Sequence, residues 1–331
     1  MKTRWGYFML PLALVLILAG CGAANNSAQN GSSATNTTTE GAAGAITVKD
    51  NHGEVKLNQP AKRVVVLEWT FTEDMVALGV QPVGNADNAG YKQWVTSNAA
   101  LDSSVTDVGT RSEPNLEAIA ALKPDLIIKT SDNVPELYDQ LKAIAPTLEF
   151  NMYQGNGYDY DRMVDVFNEI GKAVGKEDQA KQVLADLDAH YEQAKEKLKA
   201  AGKEGMHYAL TQAFTSQNAA SLRMFTDNSV VVGTLDKIGM VNDWKSEQTD
   251  KYGFTTVGIE SLSKVQDSSL IYIVQADDDV FGAPMKNNSV WNQLNFVKEK
   301  RTYPLDGSTW TFGGPLSSKA LVDGVVGAVT K

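Results

Sequence analysis

Cysteine, histidine and basic residues are scarce in this chain of 331 residues. The only cysteine is Cys21, which excludes a disulfide framework, a cysteine-based zinc finger and a thiol nucleophile in the rest of the chain. Lysine and arginine number 30 against 40 aspartate and glutamate residues, a net charge of −10. Because phosphate binding needs a basic face, nucleic acid is not expected as a partner.

The three histidines, His52, His190 and His207, lack the spacing of metal ligands, so we predict no metal held by protein side chains. The sequence also lacks a G-x-S-x-G motif, a P-loop and a dinucleotide-binding fingerprint after a strand. No nucleophile or general base can be named. We therefore predict no catalytic residues and no cofactor, and a protein that is not an enzyme.

Long apolar runs are confined to the first twenty residues, which excludes later membrane spans. Lys2 and Arg4 precede a short apolar core that ends in the small residues of "LAGC" at 18–21, a pattern typical of a secretory signal peptide. These four letters resemble the lipobox of bacterial lipoproteins, in which the chain is cut before a cysteine that then carries lipid. We predict a signal peptide over 1–20 and lipidation at Cys21. A buried structural thiol is disfavoured, since nothing around it is typical of a folded core.

Residues 22–45 are Gly, Ala, Ser, Thr and Asn, with one Gln and a single charge, Glu40, so they have too little apolar surface to offset ordering entropy. They are predicted to form a flexible tether to the membrane lipid. Loss of Lys2 and Arg4 with the signal peptide leaves 28 basic residues against 40 acidic ones, a charge of about −12 that favours solubility. We expect an extracytoplasmic, lipid-anchored monomer.

Strand and helix patterns alternate through the rest of the chain, which predicts an α/β fold with open sheets. The β-branched run 63–69 is predicted as a strand, 72–78 as a helix closed by Gly79, and 82–87 as a further strand.

A helix followed by a buried strand at 115–130 recurs at 258–277, with Glu117 and Glu260 at corresponding points. The repeat predicts two similar Rossmann-like lobes.

We predict a first lobe over 46–157, an inter-lobe helix over 158–175 and a second lobe over 176–331. The stretch 158–200 is rich in strong helix formers at near 3.6 spacing and should form one long helix, or two joined around Gly175. Such a helix is a stiff connection, and the cleft between the lobes is the expected ligand site.

Aromatic and arginine residues fall at predicted strand-to-helix turns around this cleft. Arg111, between a Gly-Thr turn and a helix-capping stretch, is well placed to donate paired hydrogen bonds to carboxylate or hydroxamate oxygens. Core packing is the alternative for each aromatic residue, and an ion pair within the lobe is the alternative for Arg223. The predicted ligand-binding residues are Arg111, Arg223, Trp69, Tyr91, Trp94, Tyr252, Trp310 and Phe312.

From residue 60 to its end the chain resembles the ferric-siderophore binding lipoproteins of bacterial ABC importers, a class III substrate-binding group that includes ferric-citrate and ferric-hydroxamate binders. The stretches that carry the resemblance are "RVVVLEWTFTEDMVALGVQPVGNAD", "GTRSEPNLEAIAALKPDLII", "WNQLNFVKEKRTYPLD" and "WTFGGPLS". The resemblance implies that the protein binds an intact Fe(III)-siderophore, citrate-based or hydroxamate, and delivers it to a membrane permease. Iron would be held through its chelator, with no metal ligand from the protein.

Position by position, Arg111 matches the family arginine that contacts iron-bound oxygens, and Trp310 matches a tryptophan of the pocket. Tyr252 stands where hydroxamate binders have another tryptophan. Phe312 stands where a tyrosine would donate a hydrogen bond, which argues against a ferrichrome-like ligand. The stretch "RMFTDNS" from Arg223 resembles the citrate-type branch, where a second arginine would suit an extra carboxylate.

Two acidic residues, Glu136 and Glu260, open predicted helices near cleft-facing loops, one in each lobe. By resemblance they match acidic residues that pair with permease arginines; the alternative is that both only complement helix dipoles. Three other functions stay open: a corrinoid or haem carrier of the same fold, a tethered extracellular hydrolase, and an adhesion module. A free histidine at the cleft would favour haem, and none is obvious. A hydrolase would need a Ser, His and acid constellation there, and an adhesion module would show tandem β repeats.

Overall fold

The computed structural model describes residues 45–95, 97, 99–153, 155, 157–246 and 250–331, all within a compact unit that spans Ala43–Lys331. The predicted signal peptide, Cys21 and the tether as far as residue 44 lie outside the described residues. In the described ranges, no helix has both the length and the apolar character needed to cross a bilayer.

A five-stranded, wholly parallel sheet forms the centre of the first lobe, in the order β5-β4-β3-β6-β7. A hairpin of β1 and β2 precedes it, and short helices connect its strands. The strands are β1 (Ile46–Asp50), β2 (Gly53–Leu57), β3 (Val64–Val66), β4 (Gly84–Asn85), β5 (Thr106–Asp107), β6 (Leu126–Thr130) and β7 (Thr147–Phe150), and the helices are α1 (Trp69–Ala77), α2 (Asn88–Trp94), α3 (Leu116–Ala121) and α4 (Tyr138–Ile144), with a 3₁₀ turn at Pro135–Leu137.

Two helices, α5 (Tyr160–Ala173) and α6 (Glu177–Ala200), follow β7. The sequence left open whether 158–200 forms one long helix or two helices joined around Gly175, and the structure has two helices. Gly175 separates them with φ = +65°, a left-handed conformation that favours glycine, and a Cβ there would come within 2.8 Å of Pro60.

The second lobe has a mixed sheet in the order β11-β9-β8-β12-β13, with β10 paired to the start of β8. Strands β8, β12 and β13 run parallel, and β9 returns antiparallel beside β8. The strands are β8 (His207–Ser216), β9 (Ala219–Phe225), β10 (Val241–Asn242), β11 (Phe254–Val257), β12 (Ser269–Ile273) and β13 (Thr302–Leu305), and the helices are α7 (Val230–Lys237), α8 (Ser289–Gln293), α9 (Asn295–Lys298) and α10 (Pro315–Val329), with 3₁₀ segments at Ile259–Val265 and Ala283–Met285.

The predicted α/β class is confirmed, and the predicted repeat is present: α3 leads into β6 as the 3₁₀ segment Ile259–Val265 leads into β12. The second copy is not an α-helix. In it the Ser263 hydroxyl donates to the Glu260 carbonyl oxygen at 2.7 Å, the kind of side-chain bond that competes with regular helix hydrogen bonding.

The strand predicted over 63–69 ends earlier, at Val66, and the helix predicted from residue 72 begins at Trp69. The reason is Glu68, which is extended in backbone and accepts a hydrogen bond from the Trp69 amide at 2.9 Å, so it acts as the helix N-cap. Trp69 therefore lies at a helix start that faces the second lobe.

The two lobes meet where α1 packs beside the start of α10. Glu73 of α1 is fully buried and accepts hydrogen bonds from the Gly314 amide (3.1 Å), the Ser317 amide (2.7 Å) and the Ser317 hydroxyl. It thus satisfies amide donors that the first turn of α10 leaves without helical partners. Thr70 adds a hydroxyl bond to the Phe312 carbonyl oxygen at 2.6 Å.

Asp74, next to Glu73, is also buried, and its Oδ1 atom has no hydrogen-bond partner among the described residues. Burial raises the pKa of Asp74 well above its usual value near 3.8, and the adjacent Glu73 raises it further. Burial also raises the pKa of Glu73, whereas its bonds from Ser317 and Gly314 act in the opposite direction. We therefore assign the charge to Glu73 and the proton to Asp74.

This assignment makes stability depend on pH through Asp74. A carboxyl whose pKa is higher in the folded than in the unfolded chain stabilises the fold while protonated, and that contribution falls as pH rises above the unfolded value. Asp74→Asn should remove this dependence, so chemical denaturation at several pH values from acidic to neutral should show wild type losing stability relative to the variant. The exposed-site control Glu54→Gln should follow wild type. A difference between Asp74→Asn and wild type that does not change with pH would contradict the assignment.

Candidate ligand-binding cleft

A cleft of about 580 Å³ lies between the lobes, at the carboxyl ends of β3, β6 and β12 and along the second half of β8. Parallel strands bring the residues that follow them to one edge of the sheet, which is where ligand sites form in open α/β folds. Among the described residues, four charged side chains line it: Glu68, Arg111, Asp132 and Arg223.

Arg111 is fixed on the first-lobe wall by two contacts. Its guanidinium carbon lies 3.8 Å from the centroid of the Trp69 ring, and Nη1 donates to Glu68 Oε1 at 3.0 Å. Glu68 is only 6% exposed and also accepts from Asn133 Nδ2 at 2.9 Å. An arginine has five N–H donors, so this arrangement holds Arg111 in place while leaving other donors for a ligand.

Aromatic side chains from both lobes form the next part of the wall. Trp69 meets Trp310 edge-on, with centroids 5.5 Å apart, and Trp310 meets Phe312 at 5.6 Å. The Trp69 ring is oriented by a bond from Nε1 to the Ala86 carbonyl oxygen at 3.1 Å. Edge-to-face contacts of this kind are favourable, so these rings present a rigid apolar surface.

Arg223 lines the second-lobe side of the cleft without an acidic partner among the described residues. Nη1 donates to the neutral Gln212 Oε1 at 3.2 Å, and the guanidinium lies 5.1 Å from the ring centroids of Phe214 and of Phe254. Burial lowers the pKa of Arg223 from its usual value, although an arginine still carries its charge at neutral pH.

The cleft is bordered by a contact between the lobes at Tyr153 and Tyr252, whose rings are 4.8 Å apart and nearly perpendicular. Lys251 Nζ lies 3.7 Å from Asp132 Oδ1, so a weak ion pair crosses the same border. Burial raises the pKa of Tyr153 above its usual range, which keeps its hydroxyl protonated and able to donate. Tyr252 is 38% exposed, so this border is accessible to solvent.

Seven of the eight predicted ligand-binding residues line the cleft: Arg111, Arg223, Trp69, Trp94, Tyr252, Trp310 and Phe312. The eighth, Tyr91, does not line it. Tyr91 lies on α2 and is 2% exposed, and its hydroxyl donates to the Ala99 carbonyl oxygen at 2.7 Å. The prediction for Tyr91 is corrected to core packing, since its polar atom is already bonded inside the lobe.

Several lining residues escaped the sequence analysis, among them Glu68, Asp132, Tyr153 and Gln212. Glu68 had a usable signal, because an acidic residue directly after a buried β-branched strand falls at the edge where ligands bind. Gln212 had no such signal in the sequence. It lies inside β8, and its exposure to the cleft depends on how β8 and β9 pair.

The predicted permease-contact acids, Glu136 and Glu260, are both exposed, each in the first turn of a 3₁₀ segment. Glu117 is likewise exposed, in the first turn of α3. The repeat makes Glu117 the structural counterpart of Glu260, since each begins the element that leads into the strand beside the central strand of its sheet. The correspondence of Glu117 and Glu260 is visible in the sequence. The structure adds that these two acids occupy equivalent positions in the two lobes.

The histidines lie away from the cleft lining, each near an acid: His52 near Glu149, His190 near Asp323, and His207 near Asp243. Among the described residues, no group of three or more His, Cys, Asp and Glu side chains is arranged to hold a metal ion. The Ser268 hydroxyl also bonds to Asp243, so this contact places the acid between Ser and His. A hydrolytic triad needs the histidine in the middle.

Comparison with known proteins agrees with the resemblance read from the sequence. A family profile described as "Periplasmic binding protein" matches residues 64–309. The Fe(3+)-citrate-binding protein YfmC of Bacillus subtilis (strain 168) is 33% identical, covering 93% of this chain and 91% of that protein. The probable siderophore-binding lipoprotein YfiY of the same organism is 30% identical, covering 96% and 95%. Among solved structures, the Vibrio cholerae siderophore-binding protein FhuD, with Fe3+ and Desferal bound, superposes with a TM-score of 0.71 at 28% identity, covering 81% of this chain and 98% of that one.

The corrected role of Tyr91 leads to a testable difference between two tyrosines. Tyr91→Phe should lower the free energy of unfolding by about 1 kcal/mol, because a buried carbonyl oxygen loses its hydrogen bond. Tyr252→Phe, at an exposed position, should change stability by less than about 0.5 kcal/mol. Urea denaturation measures both, and equal stabilities of Tyr91→Phe and wild type would overturn the assignment of Tyr91 to the core.

Proposed function

The chain belongs to the periplasmic binding protein family, and we propose that it captures an intact Fe(III)-siderophore complex outside the cytoplasm and delivers it to the permease of an ABC importer. The observation that carries this proposal is the cleft itself, where Arg223 has no acidic partner among the described residues and faces a space walled by aromatic rings. A ferric siderophore presents the matching chemistry: anionic oxygens around the metal and an apolar or amphipathic periphery.

The size and chemistry of the cleft suit a chelate rather than a bare ion. Its volume of about 580 Å³ is within the range of small-molecule sites, roughly 300 to 1,000 Å³. A bare Fe(III) ion would need several free carboxylates, yet the Glu68 carboxylate already accepts from Trp69, Arg111 and Asn133. We propose that iron keeps the ligands of its siderophore and that the protein contributes hydrogen bonds, charge and aromatic contacts.

The alternatives fit less well. A histidine at the cleft would favour a haem carrier, and the three described histidines lie elsewhere, each near an acid. A corrinoid carrier of the same fold is less well supported, because an uncompensated arginine favours an anionic ligand. A tethered hydrolase would need a Ser, His and acid constellation at the cleft, whereas the contact of Ser268, Asp243 and His207 lies outside it and has the wrong order.

We further propose that the mature protein is lipid-anchored through Cys21 and reaches the permease on the tether of residues 21–45. The sequence pattern at 18–21 supports this, and so does the name of the relative YfiY, a probable siderophore-binding lipoprotein.

Chelate binding should quench tryptophan fluorescence, since Trp69, Trp94 and Trp310 line the cleft. Titration with ferric citrate or a ferric hydroxamate should give a saturable decrease, and Trp310→Phe should reduce its amplitude more than Trp244→Phe, which removes a buried tryptophan outside the cleft. Iron-free citrate and Fe(III) without chelator should bind much more weakly. If bare Fe(III) bound as tightly as its chelates, capture of the intact complex would be ruled out.

Delivery to a permease built around a two-fold axis calls for one contact from each lobe, and exposed acids suit a transient, electrostatically steered encounter. Glu260 is proposed as the contact of the second lobe. For the first lobe, the sequence points to Glu136, while the structural repeat favours Glu117, which occupies the position equivalent to Glu260.

Two double variants separate these possibilities: Glu117→Ala with Glu260→Ala, and Glu136→Ala with Glu260→Ala. Both should bind ferric chelate like wild type, because none of the three acids lines the cleft. In a strain that lacks this protein, both should restore less iron uptake than wild type, and the pair that includes Glu117 should restore the least. Full uptake with both variants would show that the docking acids lie elsewhere.

A further inference from the structure

The charges of the cleft are unevenly distributed between its two walls. On the first-lobe wall, Arg111 is paired with Glu68 at 3.0 Å. Asp132 lies near Lys251 of the second lobe, 3.7 Å away. Arg223, on the second-lobe wall, donates to the neutral Gln212, lies near two phenyl rings and has no acidic partner in the described part of the chain. The surplus positive charge of the cleft is therefore that of Arg223.

Glu68 is held too firmly to move away from a ligand. Its carboxylate accepts from the Trp69 amide, Arg111 and Asn133, and its side chain is 8% exposed. Rotation of this side chain would leave the first turn of α1 without its N-cap and the Arg111 charge without its partner, each of which is costly. The negative charge of Glu68 is thus a permanent part of the binding surface.

A fixed negative charge beside Arg111 limits how much negative charge a ligand can bring to the same wall. In a partly buried site like charges interact strongly, because the effective dielectric constant is well below that of water. Ferric dicitrate carries several negative charges, a ferric trihydroxamate carries none, and a ferric chelate of one citrate unit and two hydroxamates carries one. Only the last matches a cleft with one unpaired arginine.

We infer that Glu68 is a specificity-determining residue that limits the negative charge of the bound chelate, so that the cleft selects a singly charged citrate-hydroxamate iron complex over ferric dicitrate. This inference rests on the proposed function. The citrate carboxylate of the chelate faces Arg223, and its hydroxamate oxygens face the free donors of Arg111.

The test compares three probes of graded charge: ferric dicitrate, a ferric citrate-dihydroxamate and a neutral ferric trihydroxamate. In Glu68→Gln, which keeps the shape and one acceptor oxygen, affinity for ferric dicitrate should rise about tenfold relative to the neutral probe, because a like charge has been removed. The control Glu204→Gln removes the same charge from an exposed turn before β8, at the end of that strand away from the cleft, and should leave the relative affinities unchanged.

A second variant makes the test independent of how well Glu68→Gln folds. Arg223→Gln should weaken the citrate-dihydroxamate complex about tenfold or more while sparing the neutral probe, since only the former has a carboxylate for this arginine. An unchanged far-UV circular dichroism spectrum and an unchanged midpoint of urea denaturation verify that each variant is folded.

The possible outcomes distinguish a failure of the proposed function from a failure of charge selection by Glu68. If wild type binds none of the three chelates, the proposed function fails. If wild type binds them but Glu68→Gln shifts all three affinities by the same factor, or none, Glu68 does not select by charge. If wild type prefers ferric dicitrate, or if Arg223→Gln weakens all probes equally, the citrate-hydroxamate assignment is wrong although the site is real.

Discussion

The buried carboxylate of Glu73 is the contact on which the geometry of the cleft depends. It lies on α1 of the first lobe and binds amide donors at the start of α10 in the second lobe. Helix α1 begins at Trp69, and Trp310 and Phe312 lie just before α10, so fixing one helix against the other also fixes these rings on facing walls. A buried charge held by several donors is costly to separate from them, so this contact stabilises the packing of the two lobes against each other.

The two arginines of the cleft also depend on how their charges are paired, and they differ in this respect. Arg111 has a buried acidic partner and an aromatic face, whereas Arg223 has aromatic faces and an amide but no acid in the described chain. The first arginine is positioned and partly neutralised, and the second retains most of its attraction for an anion. Because only one of the two arginines lacks an acidic partner, the cleft attracts an anionic chelate without holding it too tightly. Unpaired cations on both walls would slow the release of the chelate to a permease.

Much of the site followed from local sequence signals. Arg111 and Trp69 lie where strand patterns end, and parallel strands bring such ends to one edge, so their meeting was predictable. Tyr91 was misplaced by the same reasoning, because its position near a strand end does not reveal that its hydroxyl bonds to Ala99 within the lobe. Glu68 was passed over since an acidic residue after a strand is ambiguous until the donors around it are known, and two of its three, Arg111 and Asn133, come from distant parts of the chain.

The sequence by itself determined the α/β class, the repeated helix and strand units and the family, because these depend on hydrophobic periodicity and on motifs that are local in the chain. Tertiary structure alone decided which arginine is paired and which lobe surfaces meet. The reason is physical: the pairing of a charge is a matter of a few ångströms between residues far apart in sequence, as between Glu68 and Arg111 or Glu73 and Ser317. Periodicity places a residue on an element, and only packing of the elements sets those distances.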